Sequence, residues 1–212
     1  ADPAPPATAS PVLEILAAVP GSASVQAGPR YGVGHLGAAQ AGTLDPVALE
    51  AGNRMLGNPS RAPALETVGQ PLAVRALREV AAAWTGAGMR LTLDGREVAP
   101  WRAFPWPRGA VLEATPDARL AGRTGVLCVA GGVAGQRWRG SYSTDVRAAA
   151  GGSRRWLRAG DRLGTLELRA GPPIPHPGRP RTPTRVLVRL HAGPQFDAEA
   201  FAALTGRAFR IE

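Results

Sequence analysis

Short apolar runs separated by turn residues recur along most of the chain. They lack the helical period of about 3.6 residues, which predicts strands. Met89–Val98 has the form of a hairpin, because Asp94-Gly95 is a typical turn between two such runs. Closely spaced short strands without an internal repeat predict a mainly β fold of the barrel or sandwich class. The other apolar runs are Val12–Val19, Ala23–Gln26, Leu65–Val68, Leu72–Arg75, Val80–Trp84, Ala110–Ala114, Gly125–Ala130, Thr165–Arg169, Arg185–His191 and Ala208–Ile211.

One helix has clear start and stop signals. Asp45 can cap its N-terminus, Pro46 fits the first helical position, and Gly57-Asn58-Pro59 ends it. Asp45 could act either as this cap or as a base, and we favour the cap. A second helix is predicted at Asp197–Leu204, capped by Asp197.

The segment before the first helix is crowded with glycine and polar residues, which indicates tight turns. Such a loop leading to a helix N-terminus is a potential anion site, since free N–H groups and the helix dipole favour negative charge. On the surface of the helix, we expect Arg54 to form an ion pair with Glu66. The loop residues are Gln26, Gly28, Arg30, Gly32, Gly34, His35, Gly37 and Gly42.

Two later segments carry unusual side chains. Trp101, Phe104 and Trp106 lie among prolines, and we expect them to form a hydrophobic lid over the sheet. The run Gly140–Asp145 holds hydroxyl groups and one carboxylate without any apolar period, so it is predicted to be a loop. Its side chains could serve turn chemistry or bind a ligand.

The amino-acid composition excludes several kinds of catalytic and binding site. The apolar fraction of 44% is typical of a globular protein, and the net charge of +9 attracts anions. All basic residues are arginines, so a Schiff-base lysine, a Walker lysine and a biotinylated lysine are excluded on this chain. The arginines are scattered, which argues against a nucleic-acid module.

Cysteine and histidine usage gives no sign of a metal or disulfide site. Cys128 is the single cysteine, which excludes an internal disulfide and makes the cytoplasm the default compartment. We expect Cys128 to be a small buried side chain. His35, His176 and His191 share no metal-ligand spacing, so no metal is expected.

The chain is expected to divide into four parts. Residues 1–10 have the character of a disordered leader, and residues 171–184 are rich in proline like a linker. Residues 11–170 would form the main domain, and residues 185–212 would begin a second half. No apolar run approaches membrane-spanning length.

An ordered set of motifs resembles one family, that of the C subunit of 5-oxoprolinase, also described as the biotin-dependent carboxyltransferase family, Kip-antagonist-like proteins or allophanate hydrolase subunit 2. The resemblance extends over nearly the whole chain, although Ala27, Pro29, Ala41 and Gly52 depart from the family's usual residues. The resemblance implies that this chain corresponds to the first half of the family's usual chain and to the opening of its second half. The motifs are Val25-Gln26, Arg30, Gly32, His35-Leu36-Gly37, Gly42–Pro46, Asn53-Arg54, Leu56-Gly57-Asn58, Ala64-Leu65-Glu66, Ala130-Gly131-Gly132, Gly140–Asp145, Gly160-Asp161 and Gly193-Pro194.

The resemblance implies a cyclophilin-like β-barrel and a role in an enzyme complex. Its partners would be the A and B components of 5-oxoprolinase, which are a lactam-handling protein and a Kip-inhibitor-like sister protein. The complex would use ATP to open 5-oxoproline to glutamate. One alternative is a carboxyltransferase module acting on a urea-like amide, with biotin on a partner only. Another is a regulatory protein that binds its Kip-inhibitor-like sister without chemistry of its own.

Candidate site residues come from the same motifs. Small amides and developing oxyanions need fixed donors, a cation and groups that orient the amide. The candidate catalytic residues are Arg30, His35, Asp45 and Asn53, and the candidate substrate-binding residues are Gln26, Glu66, Ser141, Ser143, Thr144 and Asp145. We expect this chain to bind no cofactor itself and to show no activity alone.

Overall fold

The computed structural model describes residues 10–176, 178, 180, 191, 193, 194 and 196–206. Within them it contains strands, two α-helices and one short 3-10 helix, Gly34–Leu36. The helices are α1 (Pro46–Met55) and α2 (Ala198–Gly206). The strands are β1 (Leu13–Ala18), β2 (Ala23–Gln26), β3 (Ala64–Val68), β4 (Leu72–Ala76), β5 (Val80–Gly86), β6 (Met89–Leu93), β7 (Arg96–Glu97), β8 (Arg102–Trp106), β9 (Val111–Pro116), β10 (Thr124–Val129), β11 (Gly131–Val133), β12 (Arg162–Leu163) and β13 (Thr165–Leu168).

Two antiparallel sheets form most of the structure. One has the strand order β12-β1-β4-β9-β6-β7, and the other has the order β2-β3-β10-β5-β8. Strands β11 and β13 pair as a small third sheet. The chain passes repeatedly from one large sheet to the other, so most strand neighbours are distant in sequence. The predicted mainly β class is confirmed.

The main core lies between the two large sheets. Leu91 and Leu112 contribute to it from the first sheet, and Trp84 and Leu127 contribute from the second. Their burial follows from the period of two along a strand, because alternate side chains point to the same face. The hairpin predicted at Met89–Val98 is also present, with Asp94 and Gly95 both at positive φ between β6 and β7.

Helix α1 covers the outer face of the second sheet. Leu49 and Met55 pack with Ala83, Val126 and Cys128 in a separate apolar cluster. Strand β10 is therefore buried on both faces, since Leu127 belongs to the main core and its neighbours contact the helix. Cys128 is fully buried, as expected from the sequence.

The start of α1 agrees with the sequence signals. Asp45 caps the helix, because its Oδ1 accepts a hydrogen bond from the Ala48 backbone N–H at 2.9 Å. Pro46 is the first helical residue, where a missing N–H breaks no hydrogen bond.

The predicted aromatic lid is wrong. Trp101 and Trp106 are buried, and their indole N–H groups donate to the carbonyls of Gly86 and Ala110 at 2.9 and 3.0 Å. Phe104 is partly buried within β8. The reason is that this proline-containing stretch pairs with β5 as an edge strand, where proline is tolerated.

The start of the predicted linker, residues 171–176, lies against the C-terminal end of α1. The Ala170 N–H donates to the Gly57 carbonyl at 2.8 Å, and the Ile174 N–H donates to the Arg54 carbonyl at 2.9 Å. The rings of Trp101 and His176 lie 5.0 Å apart. Residues 170–176 are thus held against the helix by defined contacts.

The chain divides into two compact units, Ala1–Pro180 and Arg181–Glu212. In the second unit, Asp197 caps α2 by accepting hydrogen bonds from the N–H groups of Glu199 and Ala200 at 2.8 and 3.0 Å. The predicted leader residues 1–9, residues 185–190 of one predicted strand, and the strand Ala208–Ile211 lie outside the described residues. Among the described residues, neither helix is long and apolar enough to cross a membrane.

Candidate functional site

The polar run Ser141–Asp145 lies along the edge of β2. The Thr144 N–H and hydroxyl both donate to the Val25 carbonyl, at 3.0 and 2.7 Å. The Ser141 hydroxyl donates to the Gly28 carbonyl at 2.5 Å, and the Ser143 hydroxyl lies 3.1 Å from the carbonyls of Ala27 and Gly28. These hydroxyls join the loop to the chain that leaves β2, so the expected loop is confirmed and its hydroxyl protons are used internally.

Gln26, at the end of β2, contributes to the same network. Its Nε2 donates to the Ser24 hydroxyl at 2.9 Å and to the Thr144 carbonyl at 3.4 Å. Its Oε1 is buried and has no hydrogen-bond partner within the described part of the chain. Gln26 therefore holds an unused acceptor beside the hydroxyl cluster.

Arg30 is buried at the centre of this network. Its Nη1 donates to the Ala39 carbonyl at 3.0 Å, its Nη2 donates to the Ser143 carbonyl, and its Cζ lies 4.8 Å from the centre of the Trp138 ring. Asp145 Oδ2 is 3.9 Å from Nη1. Burial lowers the pKa of Arg30, and the charge of Asp145 opposes that effect. Arg30 thus fixes two loops to one another.

Two glycines that the sequence analysis did not single out support the network. Gly151 has φ +67°, and a Cβ there would lie 2.2 Å from the Ser143 carbonyl oxygen and 2.8 Å from Arg30 Nη2. A Cβ on Gly152 would lie 2.3 Å from the Thr144 hydroxyl oxygen. The adjacent pair of glycines was the available sequence signal, because such pairs mark close backbone approach.

A cleft of about 330 Å³ opens in front of Arg30. Tyr31 and Tyr142, the two tyrosines of the chain, line it together with Arg61 and Arg139. None of the described residues that line the cleft is acidic. Sequence analysis did not single out Tyr31, Arg61 or Arg139, since these residues come from separate loops, and it included Tyr142 only as part of the run Gly140–Asp145. The remaining lining residues are Ala27, Gly28, Pro29, Arg30, Gly140 and Ser141.

The N-terminus of α1 lies at a second, smaller cavity of about 250 Å³ that shares Tyr31 and Arg61 with the cleft. Glu66 is buried beside this N-terminus, and its Oε1 accepts hydrogen bonds from the Leu44 N–H at 2.8 Å and from the Thr43 hydroxyl. Burial raises the pKa of Glu66, while these hydrogen bonds oppose the rise.

The anion site predicted at this helix N-terminus is wrong. Asp45 accepts a hydrogen bond from the Ala48 N–H in the first turn, and Glu66 accepts one from the Leu44 N–H just before the helix, so the chain places two negative groups of its own there. The basic cleft formed by the neighbouring residues 27–31 is the region suited to an anion.

The predicted ion pair between Arg54 and Glu66 is also wrong. Arg54 Nη2 lies 2.5 Å from Glu50 Oε1 one turn earlier on α1, and both side chains are largely exposed. Glu66 lies on the buried side of the helix start, where the Leu44 N–H is its partner. Glu50, four residues before Arg54 on the same helix, lies closer to Arg54 than Glu66 does on the following strand β3.

Asn53 belongs to a different buried network. Its Nδ2 donates to the Ala62 carbonyl at 2.9 Å, and its Oδ1 accepts from Asn58 Nδ2 at 3.0 Å. Asn58 also donates to the Val129 carbonyl at 2.8 Å. The two amides therefore tie α1 to β10. His35 is exposed on the short 3-10 helix.

The structure thus separates the candidate residues into groups. Gln26, Arg30 and the residues of Ser141–Asp145 form one connected network behind the cleft. Asp45 and Glu66 lie together at the start of α1, whereas Asn53 and His35 lie elsewhere. Within the described residues, no three His, Cys, Asp or Glu side chains are placed to hold a metal. Burial raises the pKa of the Cys128 thiol, so its thiolate is disfavoured.

The family of the chain follows from comparison with known proteins. The model of the carboxyltransferase domain, subdomain A and B, matches residues 36–212. The chain belongs to this family. This agrees with the resemblance inferred from its motifs, which is confirmed.

Curated relatives of this carboxyltransferase-domain chain include two proteins named as the C subunit of 5-oxoprolinase. The protein of Escherichia coli is 39% identical over 142 residues, which is 66% of this chain and 45% of the relative. The protein of Haemophilus influenzae is 34% identical over 144 residues, which is 68% of this chain and 46% of the relative. The chain spans less than half the length of these relatives. Urea amidolyase of Saccharomyces cerevisiae is 31% identical over 135 residues, 63% of this chain and 7% of the relative.

Solved structures that are similar to this chain agree with the family assignment. The crystal structure of TTHA0988 is 38% identical, has a TM-score of 0.80, and matches 96% of this chain and 40% of its own. The crystal structure of the K. lactis urea amidolyase is 26% identical with a TM-score of 0.69, and matches 82% of this chain and 11% of its own. The fold is therefore that of the carboxyltransferase-domain proteins.

Proposed function

We propose that this chain is part of the C subunit of a 5-oxoprolinase, which acts with the A and B components in the ATP-dependent opening of 5-oxoproline to glutamate. The observation that carries the proposal is the identity of 34% and 39% to two proteins of that name. The arginine-lined cleft supports it, because the substrate is an anion and the reaction develops negative charge on an amide oxygen.

In this proposal the residues around the cleft bind and orient the substrate. Arg30 holds the cleft floor in place through the Ser143 and Ala39 carbonyls, as a positioning residue. Arg61 and Arg139 are the cations that face the cleft, and the tyrosines provide planar surfaces. ATP would be used by the complex and not bound by a phosphate loop of this chain, which has no lysine. The proposed compartment is the cytoplasm, where ATP is supplied.

A second candidate function is a carboxyltransferase module acting on a urea-like amide. The similarity to urea amidolyase favours it. Biotin would then be carried by a partner, since this chain has no lysine to attach it. A purely regulatory protein that binds a Kip-inhibitor-like partner is the third candidate.

The test is reconstitution. The protein that contains this chain is co-expressed with the A and B components of 5-oxoprolinase, and ATP-dependent formation of glutamate from 5-oxoproline is measured. We expect turnover only when all three components are present. Formation of a stable complex without turnover would favour the regulatory function, and carboxylation of urea with a biotinylated partner would favour the second candidate.

The matched variants are Arg30→Gln and Arg90→Gln. Arg90 is an exposed arginine on β6, away from the network. We expect Arg30→Gln to reduce turnover strongly because it releases the loops that shape the cleft, and Arg90→Gln to leave it unchanged. Equal activity of both variants would contradict the placement of the site.

A further inference from the structure

The backbone donors on the floor of the cleft already have partners within the protein. The Ala27 N–H donates to the Ser143 hydroxyl at 3.0 Å, and the Gly28 N–H donates to the Arg61 carbonyl at 3.3 Å. A backbone N–H that is used in this way cannot also bind a substrate oxygen. At these two positions the floor therefore has no free backbone donor for a ligand.

Most side chains around the floor also have partners. The Ser141 hydroxyl donates to the Gly28 carbonyl at 2.5 Å, and Arg30 is fully buried. The guanidinium groups of Arg61 and Arg139 lie against aromatic rings, with Cζ 5.8 and 5.7 Å from the ring centres. A neutral hydrogen-bond donor for a ligand must come from another residue.

Tyr142 is that residue. It lines the cleft and is partly buried, and its hydroxyl has no hydrogen-bond partner among the described residues. The Ser143 N–H donates to the Ser141 hydroxyl at 3.0 Å, so the backbone on either side of Tyr142 is fixed. Partly buried tyrosine hydroxyls usually have a partner, and one without a partner in a cleft points to a ligand.

The chemistry of a phenol suits an amide substrate. Its O–H is a neutral donor that stays protonated at neutral pH. A fixed donor stabilises a transition state in which negative charge develops on a carbonyl oxygen. None of the described residues that line the cleft is acidic, so no carboxylate of that lining competes for the Tyr142 proton.

We propose that the Tyr142 hydroxyl donates a hydrogen bond to the carbonyl oxygen of a small amide or lactam in the cleft. This bond strengthens as negative charge develops on that oxygen. The phenol keeps its proton, and no covalent bond to the protein forms. The cleft volume is at the lower end of small-molecule sites, which fits a ligand of one ring. The proposal rests on the proposed function and adds a catalytic residue to it.

Kinetics of the reconstituted complex provide the first test. Tyr142→Phe removes only the hydroxyl, and we expect kcat to fall about a hundredfold. The KM should change by no more than about tenfold, because a neutral hydrogen bond contributes little to ground-state binding. The variant should melt like wild type, since the hydroxyl has no partner to lose in the described structure. An unchanged kcat would overturn the proposal.

Thr115→Val is the matched control. It also removes one hydroxyl, from an exposed side chain on β9, a strand that contributes no residue to the cleft. We expect its kcat and KM to equal those of wild type. A loss of kcat equal to that of Tyr142→Phe would show that the effect does not come from the cleft.

Ligand binding to the purified chain tests the hydrogen bond itself. Infrared spectroscopy follows the carbonyl stretch of bound 5-oxoproline that carries ¹³C at its ring carbonyl. A hydrogen bond to this oxygen lowers the stretching frequency, so the frequency should be higher in Tyr142→Phe than in wild type or Thr115→Val. Titration calorimetry should show binding weakened about two- to tenfold. An identical frequency in wild type and Tyr142→Phe, or no binding of 5-oxoproline, would refute the assignment.

The two experiments separate this proposal from the proposed function. If the frequency shift is present but the complex does not convert 5-oxoproline, the hydrogen bond stands and the proposed function fails. If the complex is active and kcat is the same in wild type and Tyr142→Phe, the proposed function stands and the role of Tyr142 fails.

Discussion

Glu66 is a buried acid whose pKa is raised by its burial. Its side chain lies between β3 and the loop before α1, and the Leu44 N–H and the Thr43 hydroxyl donate to it. Burial nevertheless has the larger effect, so the pKa of Glu66 is raised. A raised folded-state pKa means that the native protein binds this proton more tightly than the unfolded chain does. The contribution of Glu66 to stability is therefore greatest at low pH and declines as the pH rises through its folded-state pKa.

Glu66→Gln should remove this pH dependence. Glutamine keeps the acceptor oxygen for the Leu44 N–H but does not titrate, so the stability of wild type relative to the variant should fall as the pH rises from the ordinary glutamate pKa of about 4.3 through the raised folded-state pKa. Urea unfolding of both proteins across this range measures the difference. A difference that grows with pH would show that the hydrogen bonds outweigh burial.

Asp45→Ala should destabilise the protein by about 1 kcal/mol, because the Ala48 N–H loses its acceptor at the start of α1. Asp45→Asn is the matched control, since asparagine caps helices comparably. Thermal and urea unfolding give the values. If the alanine variant melts like wild type yet abolishes activity of the complex, Asp45 belongs to the chemistry and not only to the cap.

At the scale of elements, the approach of α1 to its sheet depends on one missing side chain. A Cβ on Gly52 would lie 2.7 Å from Cys128 Sγ and 3.2 Å from the Thr85 hydroxyl oxygen. The Thr85 hydroxyl also donates to the Ala48 carbonyl at 2.8 Å, which fixes the helix at this distance. Gly52 therefore sets how closely the helix and β10 can pack.

Gly52→Ala should cost about 1 kcal/mol. The gain of about 1 kcal/mol in helix propensity is smaller than the cost of overpacking against Cys128, typically about 1–3 kcal/mol. Cys128→Ala in the same chain removes the clashing sulfur, so the double variant should be more stable than the sum of the two single effects, by about 1 kcal/mol. A double-mutant cycle by urea unfolding tests this, and additive effects would show that the helix moves instead.

Features with a local cause could be predicted from the sequence. The Asp45 cap and the Asp94-Gly95 turn depend on residues within one turn of chain, and both are present. The lid was wrong because it depends on which strand pairs with which. The Arg54–Glu66 ion pair was wrong because Arg54 pairs with Glu50 one turn earlier on its own helix. The cleft side chains were missed because their meeting depends on the tertiary fold. Arg61 and Arg139 are brought together by the fold alone, and no spacing in the sequence connects them.

At the scale of the whole molecule, the candidate site belongs to one unit. Both apolar clusters, the network around Arg30 and the cleft are built from residues that precede Pro180. The net charge of +9 is spread over arginines throughout the chain, and none of the described residues that line the cleft is acidic. The long-range field should thus speed the arrival of anions, and the local arrangement should select among them.

A chain that ends at Pro180 should therefore keep the fold and the cleft. We expect it to melt cooperatively within about 5 °C of the full chain, since all the described strands and both apolar clusters are retained. Its affinity for 5-oxoproline should equal that of the full chain, because every cleft residue remains. Differential scanning calorimetry and titration calorimetry on both proteins provide the measurement. A control that ends at Gly164 lacks β13 and residues 170–176, and it should lose stability through the exposed partners of β11 and α1. Loss of cooperative melting in the Pro180 chain itself would show that residues 181–212 take part in the fold of the first unit.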